Sequence, residues 1–397
     1  MIKKRYQRES KDEKPVLAIC YDFDKTLSPD DMQAQGYIQS VGVDVSEFWT
    51  ESNELAETNN MDQNLAYMFL MKKKASGRFV FTKSTLEEYG SKVSLFPGVD
   101  KWFERVKEFG EEKGVVVEHY IISSGLKEMI EGTSVAKSGV FKRIYASSFF
   151  YDEDGVAIWP AQVVNYTNKT QFLFRIEKGV LDVNDSSVND FFAPDEKRVP
   201  FRNMVYIGDS DTDIPCMKLV NEYGGFSIGV YDSKTKDKTK VYKMLRDNRI
   251  HYFAEADYSE GSELDTLVRA IIDRTSKNEF LESKYFDCKK EQFSVDKRNN
   301  SRAKSDLLVR LEESDSFIST HTTIDRAIRI KSWNDSEREK LFSIAMRNNQ
   351  VRWILNDRDV KQFYEKLLRE SSELSETAKK SKRGTRKLII SKSYTRI

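Results

Sequence analysis

A six-residue apolar run, Val16 to Tyr21, stops abruptly at Asp22-Phe23-Asp24-Lys25-Thr26. No other feature restricts the folding of this chain as much. A strand with one wet face alternates apolar and polar residues, whereas VLAICY contains no charged side chain to turn toward water. It therefore belongs in a sheet covered on both faces, as parallel sheets are. Acidic residues at the carboxyl end of such a strand mark the rim where open α/β sheets place their sites.

Two more strands end in the same manner. Val115 to Ile122 runs into Ser123-Ser124-Gly125, and Asn203 to Ile207 runs into Gly208-Asp209-Ser210-Asp211-Thr212-Asp213. Between and after them come an amphipathic helix from Val99 to Phe109 and a hairpin pattern from Tyr145 to Val164. Next are a helix opening near Lys169, a polar excursion from Asp182 to Arg198, a strand at Phe226 to Val230 and a helix from Glu263 to Arg274. Strands alternating with helices predict an α/β fold built on a doubly wound parallel sheet. The polar, amphipathic stretch from Ser28 to Ser94 predicts a helical insertion. Beyond Thr275 glycine nearly vanishes and helical periodicity dominates, with Asn334 and Glu337 spaced as a capping box.

The expected organisation is an N-terminal arm (1–14), a catalytic core (15–28 and 95–275), a helical cap (29–94), a linker (276–304), a helical C-terminal domain (305–375) and a basic tail (376–397). At 397 residues, two or three units are the natural expectation. Lys+Arg 65 against Asp+Glu 64 leaves a formal charge of +1, so net charge points to no polyanion partner. The charge is uneven, however: Lys379 to Arg396 holds eight basic residues and no acid. Three cysteines fit a reducing compartment better than a disulfide framework. A charged start without an apolar core, and no stretch long enough to span a bilayer, lead us to expect a cytoplasmic protein without membrane contact.

Phosphoryl transfer needs what the three strand ends offer. A carboxylate can act as nucleophile and split one hard step into two. A second acid can protonate the leaving oxygen and then deprotonate water. Clustered carboxylates suit Mg²⁺, and a lysine can offset the anionic charge. The ordered set Asp22-x-Asp24-x-Thr26, Ser123, a lysine, and Gly208-Asp209-x-x-x-Asp213 resembles the four motifs of the haloacid dehalogenase superfamily over roughly Val16 to Arg274.

The resemblance implies a role for each residue. Asp22 would be the nucleophile, and Asp24 the general acid/base, whose backbone carbonyl also meets Mg²⁺. Thr26 would support the loop, and Ser123, before Ser124 and Gly125, would bind a phosphoryl oxygen. Lys169 would offset charge, Asp209 would ligate the metal and Asp213 would orient the metal shell or the lysine. Ser124 rivals Ser123, and Lys178 rivals Lys169; Thr167-Asn168-Lys169-Thr170 at a helix start favours Lys169.

Asp24 favours phosphatases over dehalogenases, because true dehalogenases lack this second aspartate. The insertion occupies the place of a helical cap, which favours a small phosphorylated substrate. The arrangement looks most like the phosphoserine-phosphatase-like branch, without a constellation that identifies phosphoserine. Two alternatives stay open. One is a phosphotransferase or phosphomutase using the same motifs; the other is a nucleic-acid-end phosphatase or binding protein using the C-terminal helices and basic tail.

Overall fold

The computed structural model describes residues 6–370 apart from 195, 233 and 297–299. The basic run expected at 376–397 lies outside the described residues. Two compact units result, one from Met1–Val183 with Arg198–Phe280 and the other from Asn184–Lys197 with Leu281–Ile397.

The first unit is built on a seven-stranded sheet in the order β4-β3-β2-β1-β5-β6-β7. The strands are β1 (Val16–Tyr21), β2 (Val116–Leu126), β3 (Phe141–Tyr151), β4 (Ala157–Gln162), β5 (Met204–Gly208), β6 (Phe226–Tyr231) and β7 (Tyr252–Glu255). All neighbours are parallel except β3 and β4, which form the antiparallel hairpin. Strand order runs outward from β1 in both directions, so β1 sits at the switch point where open α/β sheets leave a crevice.

The apolar run of β1 divides by alternation between two cores. Leu17, Ile19 and Tyr21 pack on one face with Trp102, Phe103 and Val106; Val16, Ala18 and Cys20 pack on the other with Phe172, Ile176 and Met217. His119, with no catalytic part in the sequence reading, is wholly buried in β2. Its Nε2–H donates to the Phe103 carbonyl, so Nδ1 accepts from the Tyr21 hydroxyl, which in turn accepts from Trp102 Nε1. Burial holds its pKa down at about 3, so it stays neutral and structural.

The insertion that follows β1 forms four helices: α1 (Tyr37–Ser40), α2 (Val45–Asn59), α3 (Gln63–Ala75) and α4 (Lys83–Gly90). Asp44, Asp62 and Thr82 cap the last three through side-chain oxygens. Phe48, Tyr67, Met68, Leu70, Met71 and Leu86 join the same core as β1. The sheet's helices are α5 (Val99–Glu112), α6 (Lys127–Gly132), α7 (Ser134–Lys137), α8 (Thr170–Lys178), α9 (Ile214–Glu222) and α10 (Thr239–Arg246).

Helix α11 spans Glu263–Asp296, well past the expected stop at Arg274. Residues 276–296, expected as linker, are helical because nothing from Thr275 to Asp296 ends a helix: the stretch has neither glycine nor proline. Residues 300–304 of that expected linker begin α12. The polar excursion also has a second end. Arg198 returns it to the sheet unit through a two-pronged ion pair with Glu118, both N–O distances being 2.7 Å.

The second unit is helical: α12 (Asn300–Glu312), α13 (Phe317–Ile328), α14 (Asp335–Arg347), α15 (Asn349–Trp353) and α16 (Arg358–Glu370). Asn334 and Glu337 do form a reciprocal capping box at the start of α14. Leu311, Ile324, Trp333, Phe342, Leu355, Phe363 and Tyr364 make a separate core.

Candidate active site

Register levels the three motif-bearing strands. Tyr21 pairs with Ile121 of β2 and Ile207 of β5, so Asp22, Ser123 and Asp209 emerge together at the carboxyl edge. The Asp22 amide continues the ladder by donating to the Ile207 carbonyl at 3.0 Å. Carboxylate oxygens of Asp22, Asp209 and Asp213 then lie within 4.8 Å of one another, all three residues being buried.

Lys169, wholly buried, sits inside this cluster. Its Nζ lies 2.8 Å from Asp213 Oδ1 and 3.4 Å from Asp22 Oδ1, and it also donates to Thr212 at 3.2 Å. Burial opposes its charge, yet Asp213 and Asp22 outweigh that and hold its pKa up. Lys178 sits at the far end of α8, about 13 Å along the helix from Lys169, and takes no part in the cluster.

The carboxylates differ in what they have left to offer. Both oxygens of Asp213 are committed: Oδ1 accepts from Lys169 and Tyr206, and Oδ2 from the Ser210 amide and hydroxyl. Asp22 Oδ1 is buried without a hydrogen bond, its ion pair with Lys169 being long. Asp209 Oδ2 has one long contact, 3.4 Å to Lys240. Burial, then Asp213, push Asp22 upward in pKa against the pull of Lys169; burial raises Asp209 to about 6. One buried ammonium among three carboxylates leaves negative charge unmatched, and the donors are hard oxygens. The cluster therefore fits a divalent cation such as Mg²⁺, with Asp22 and Asp209 free to hold it.

The Asp24 side chain stands outside that cluster. Its Oδ1 accepts from the Met32 amide at 2.8 Å, and burial with Asp31 and Asp22 raises its pKa well above the ordinary carboxylate value. Such a carboxyl holds a proton more readily than an exposed one. A Cβ on Gly125 would meet the end of the Met32 side chain and approach Asp24 Oδ2, so these side chains pack closely over the glycine. The hydroxyl of Thr26 is buried without a partner, while its carbonyl accepts from Tyr258. Ser123 Oγ accepts from the Gly125 amide at 3.1 Å. Ser124 Oγ has no hydrogen-bond partner among the described residues, and its carbonyl accepts from Tyr67 of α3 and from Ser147. Asp211 is exposed.

Sequence reasoning missed Tyr206, Ser210, Thr212 and Lys240. Tyr206 was recoverable in principle: it is a tyrosine in the apolar run of β5, and once buried its hydroxyl needs a partner, which it finds by donating to Asp213 Oδ1 at 2.9 Å. Lys240, thirty-one positions after Asp209, carries no local signal at all.

A doubly wound sheet with acids at the switch-point strand and a buried lysine among them places the chain in the class of α/β hydrolases. A family model for haloacid dehalogenase-like hydrolases matches residues 19–218, and the chain belongs to that family. An uncharacterized protein from Borreliella burgdorferi is 26% identical over 277 residues, covering 63% of this chain and 94% of that one. The chain is also similar to a HAD-family hydrolase from Salmonella enterica serovar Typhi (TM-score 0.42, 17% identity, 65% of this chain and 72% of that one). A probable phosphoserine phosphatase from Vibrio cholerae is similar at TM-score 0.43 and 12% identity, with 67% of each chain covered.

Proposed function

We propose that this protein is a Mg²⁺-dependent phosphatase that hydrolyses a small phosphomonoester through an aspartyl-phosphate on Asp22. The observation that carries this is the state of Asp22 Oδ1: buried, without a hydrogen bond, and 3.4 Å from the buried Lys169 ammonium. A carboxylate oxygen held unsolvated and without a hydrogen bond is available as a nucleophile.

Asp22 would attack phosphorus while the bond to the leaving oxygen breaks, and the Asp24 carboxyl would give that oxygen its proton. In the second half, Asp24 as carboxylate would take a proton from water, whose oxygen displaces Asp22 and releases phosphate. Lys169 would neutralise charge along this path, fixed in place by Asp213, Tyr206 and Thr212. Ser123 Oγ and the neighbouring amides would bind a phosphoryl oxygen. Asp22, Asp209 and the Asp24 carbonyl would hold Mg²⁺, which supplies charge neutralisation for the anionic phosphoryl group.

The smallness of the substrate is supported by the helical insertion: Met32 lies against Gly125 and Asp24, and Tyr67 is bonded to Ser124. Chemistry so closely covered suits a leaving group that fits beneath these side chains. The test is turnover of p-nitrophenyl phosphate with Mg²⁺. Asp22→Asn is expected to lower it by at least about 10³-fold, as loss of a covalent nucleophile does; near-native turnover by that variant overturns the assignment.

A further inference from the structure

The segment after β6 carries lysines at alternate positions, Lys234, Lys236, Lys238 and Lys240, and runs into α10. Lys238 is committed: its Nζ lies 4.8 Å from the centroid of the Tyr231 ring and 5.8 Å from that of Phe253. Lys240 is placed differently. It stands in the first turn of α10, where the positive end of the helix disfavours a cation, so its own helix gives it no partner. Its ammonium lies instead 3.4 Å from Asp209 Oδ2, at the carboxyl edge of the sheet, with the side chain 59% exposed. Lys25 also acts on Asp209, but Lys25 Nζ is bonded to Asp31 Oδ2 at 2.8 Å, which matches its charge.

Charge decides what Lys240 can do. Asp22, Asp209 and Asp213 around Lys169 leave two negative charges, which a divalent cation balances. A bound phosphomonoester dianion adds two more, and phosphoryl transfer requires that these be offset. Lys240 cannot keep its place once the metal arrives, because a dication held by Asp209 repels an ammonium on the same carboxylate. Its exposed four-carbon stem is free to swing. Carboxylate oxygens of Asp209 and Asp22 lie within 4.8 Å of each other, so a group in transfer to Asp22 falls within the sweep of that stem.

We propose that Lys240 is a mobile phosphate-binding residue. It pairs with Asp209 in the metal-free protein, leaves that carboxylate to Mg²⁺, and then donates to an oxygen of the phosphoryl group. The inference rests on the Mg²⁺-dependent phosphatase reading and gives that site a second cation beside Lys169, on its solvent-facing side. Such a lysine opposes the metal and favours the phosphoryl group, so removing its charge moves the two affinities in opposite directions.

Calorimetric titration of the full-length protein in about 0.1 M salt tests this with two probes, Mg²⁺ alone and then orthovanadate, a phosphoryl-group mimic, in saturating Mg²⁺. Lys240→Met keeps the stem and removes the charge. It is expected to bind Mg²⁺ about tenfold more tightly than wild type, and orthovanadate about tenfold more weakly. Lys243→Met, on the same helix, should change either affinity by less than about twofold. A lysine that only shaped the site would weaken both ligands when replaced, and a general surface-charge effect would appear in Lys243→Met as well. Shifts of the same sign, an unchanged affinity for either ligand, or equal effects of the two substitutions each overturn the proposal. Wild-type protein that fails to take up Mg²⁺, or orthovanadate with it, sinks the phosphatase reading and this inference together. Wild-type binding that Lys240→Met leaves alone sinks this inference only.

Discussion

The proposed mechanism gives opposite tasks to two aspartates separated by one residue, and their surroundings differ accordingly. Asp22 leaves Oδ1 without a hydrogen bond beside Lys169, while Asp24 accepts from the Met32 amide and is pushed toward its protonated form by burial, Asp31 and Asp22. With an aryl phosphate the leaving oxygen is a weak base and needs no proton, so Asp24→Asn should spare the first half-reaction and block the second. Steady turnover is expected to fall by about 10²–10⁴-fold, with Asp22 accumulating as a phosphoenzyme after acid quench. Unchanged turnover, or no added phosphoryl mass on the quenched protein, would falsify the division of labour. Asp209 offers a test that needs no substrate. Burial raises its pKa, so neutral Asn at this position relieves repulsion in the metal-free protein and removes a ligand. Asp209→Asn should unfold no earlier than wild type without Mg²⁺ but lose the Mg²⁺-dependent gain, which for a wild-type site at a hundred times Kd is about 2.7 kcal/mol. An equal Mg²⁺ shift in both proteins removes Asp209 from the ligand set.

At the scale of elements, α4 of the insertion and α6 of the sheet unit approach so closely that each presents a glycine to the other's backbone. A Cβ on Gly132 would run into the Glu87 carbonyl, and one on Gly90 into the Met129 carbonyl. Gly132→Ala must therefore push the helices apart, at a cost of about 1–3 kcal/mol in urea unfolding; a change under about 0.5 kcal/mol would mean the contact yields freely. Neither glycine stood out in the sequence, since each looks like an ordinary helix end until its partner is known. The strands were legible for the opposite reason. A strand buried on both faces is mainly apolar, and the apolar runs of β1, β2 and β5 each meet a polar residue, Asp22, Ser123 and Asp209, on one rim. Lys169 was separable from Lys178 because only one of them stands at a helix start. What stayed hidden is what depends on partners distant in sequence, above all the contact of Lys240 with Asp209; the hydrogen bonds that commit Asp213 join a distant lysine to the nearby Tyr206 and Ser210, and the length of α11 lay open in an unbroken helical sequence.

The whole molecule joins a family-defined catalytic unit to a helical unit with its own core and its own titrating centre. His321 had no partner that sequence could assign, because Asp357 and Asp359 lie thirty-six and thirty-eight positions away. Burial opposes the charge on its ring, but hydrogen bonds to the two aspartates outweigh it and hold the pKa above 6.5. The sign of the consequence follows. A raised folded-state pKa means that the charged ring stabilises the fold fully below the unfolded value near 6.5, and that this contribution is lost as pH climbs through the folded value. The helical unit should thus weaken as pH rises above about 6.5, by an amount the two aspartates set. Above the folded pKa, one aspartate faces an imidazole nitrogen that no longer carries a proton. His321→Gln should flatten this dependence while leaving the pH response of the sheet unit as it was. Urea unfolding from pH 5.5 to 9, with fluorescence following Trp333 and Trp353 after the other tryptophans are replaced by phenylalanine, separates the two. A wild-type slope identical to that of His321→Gln would show that the ring is not charged between its aspartates.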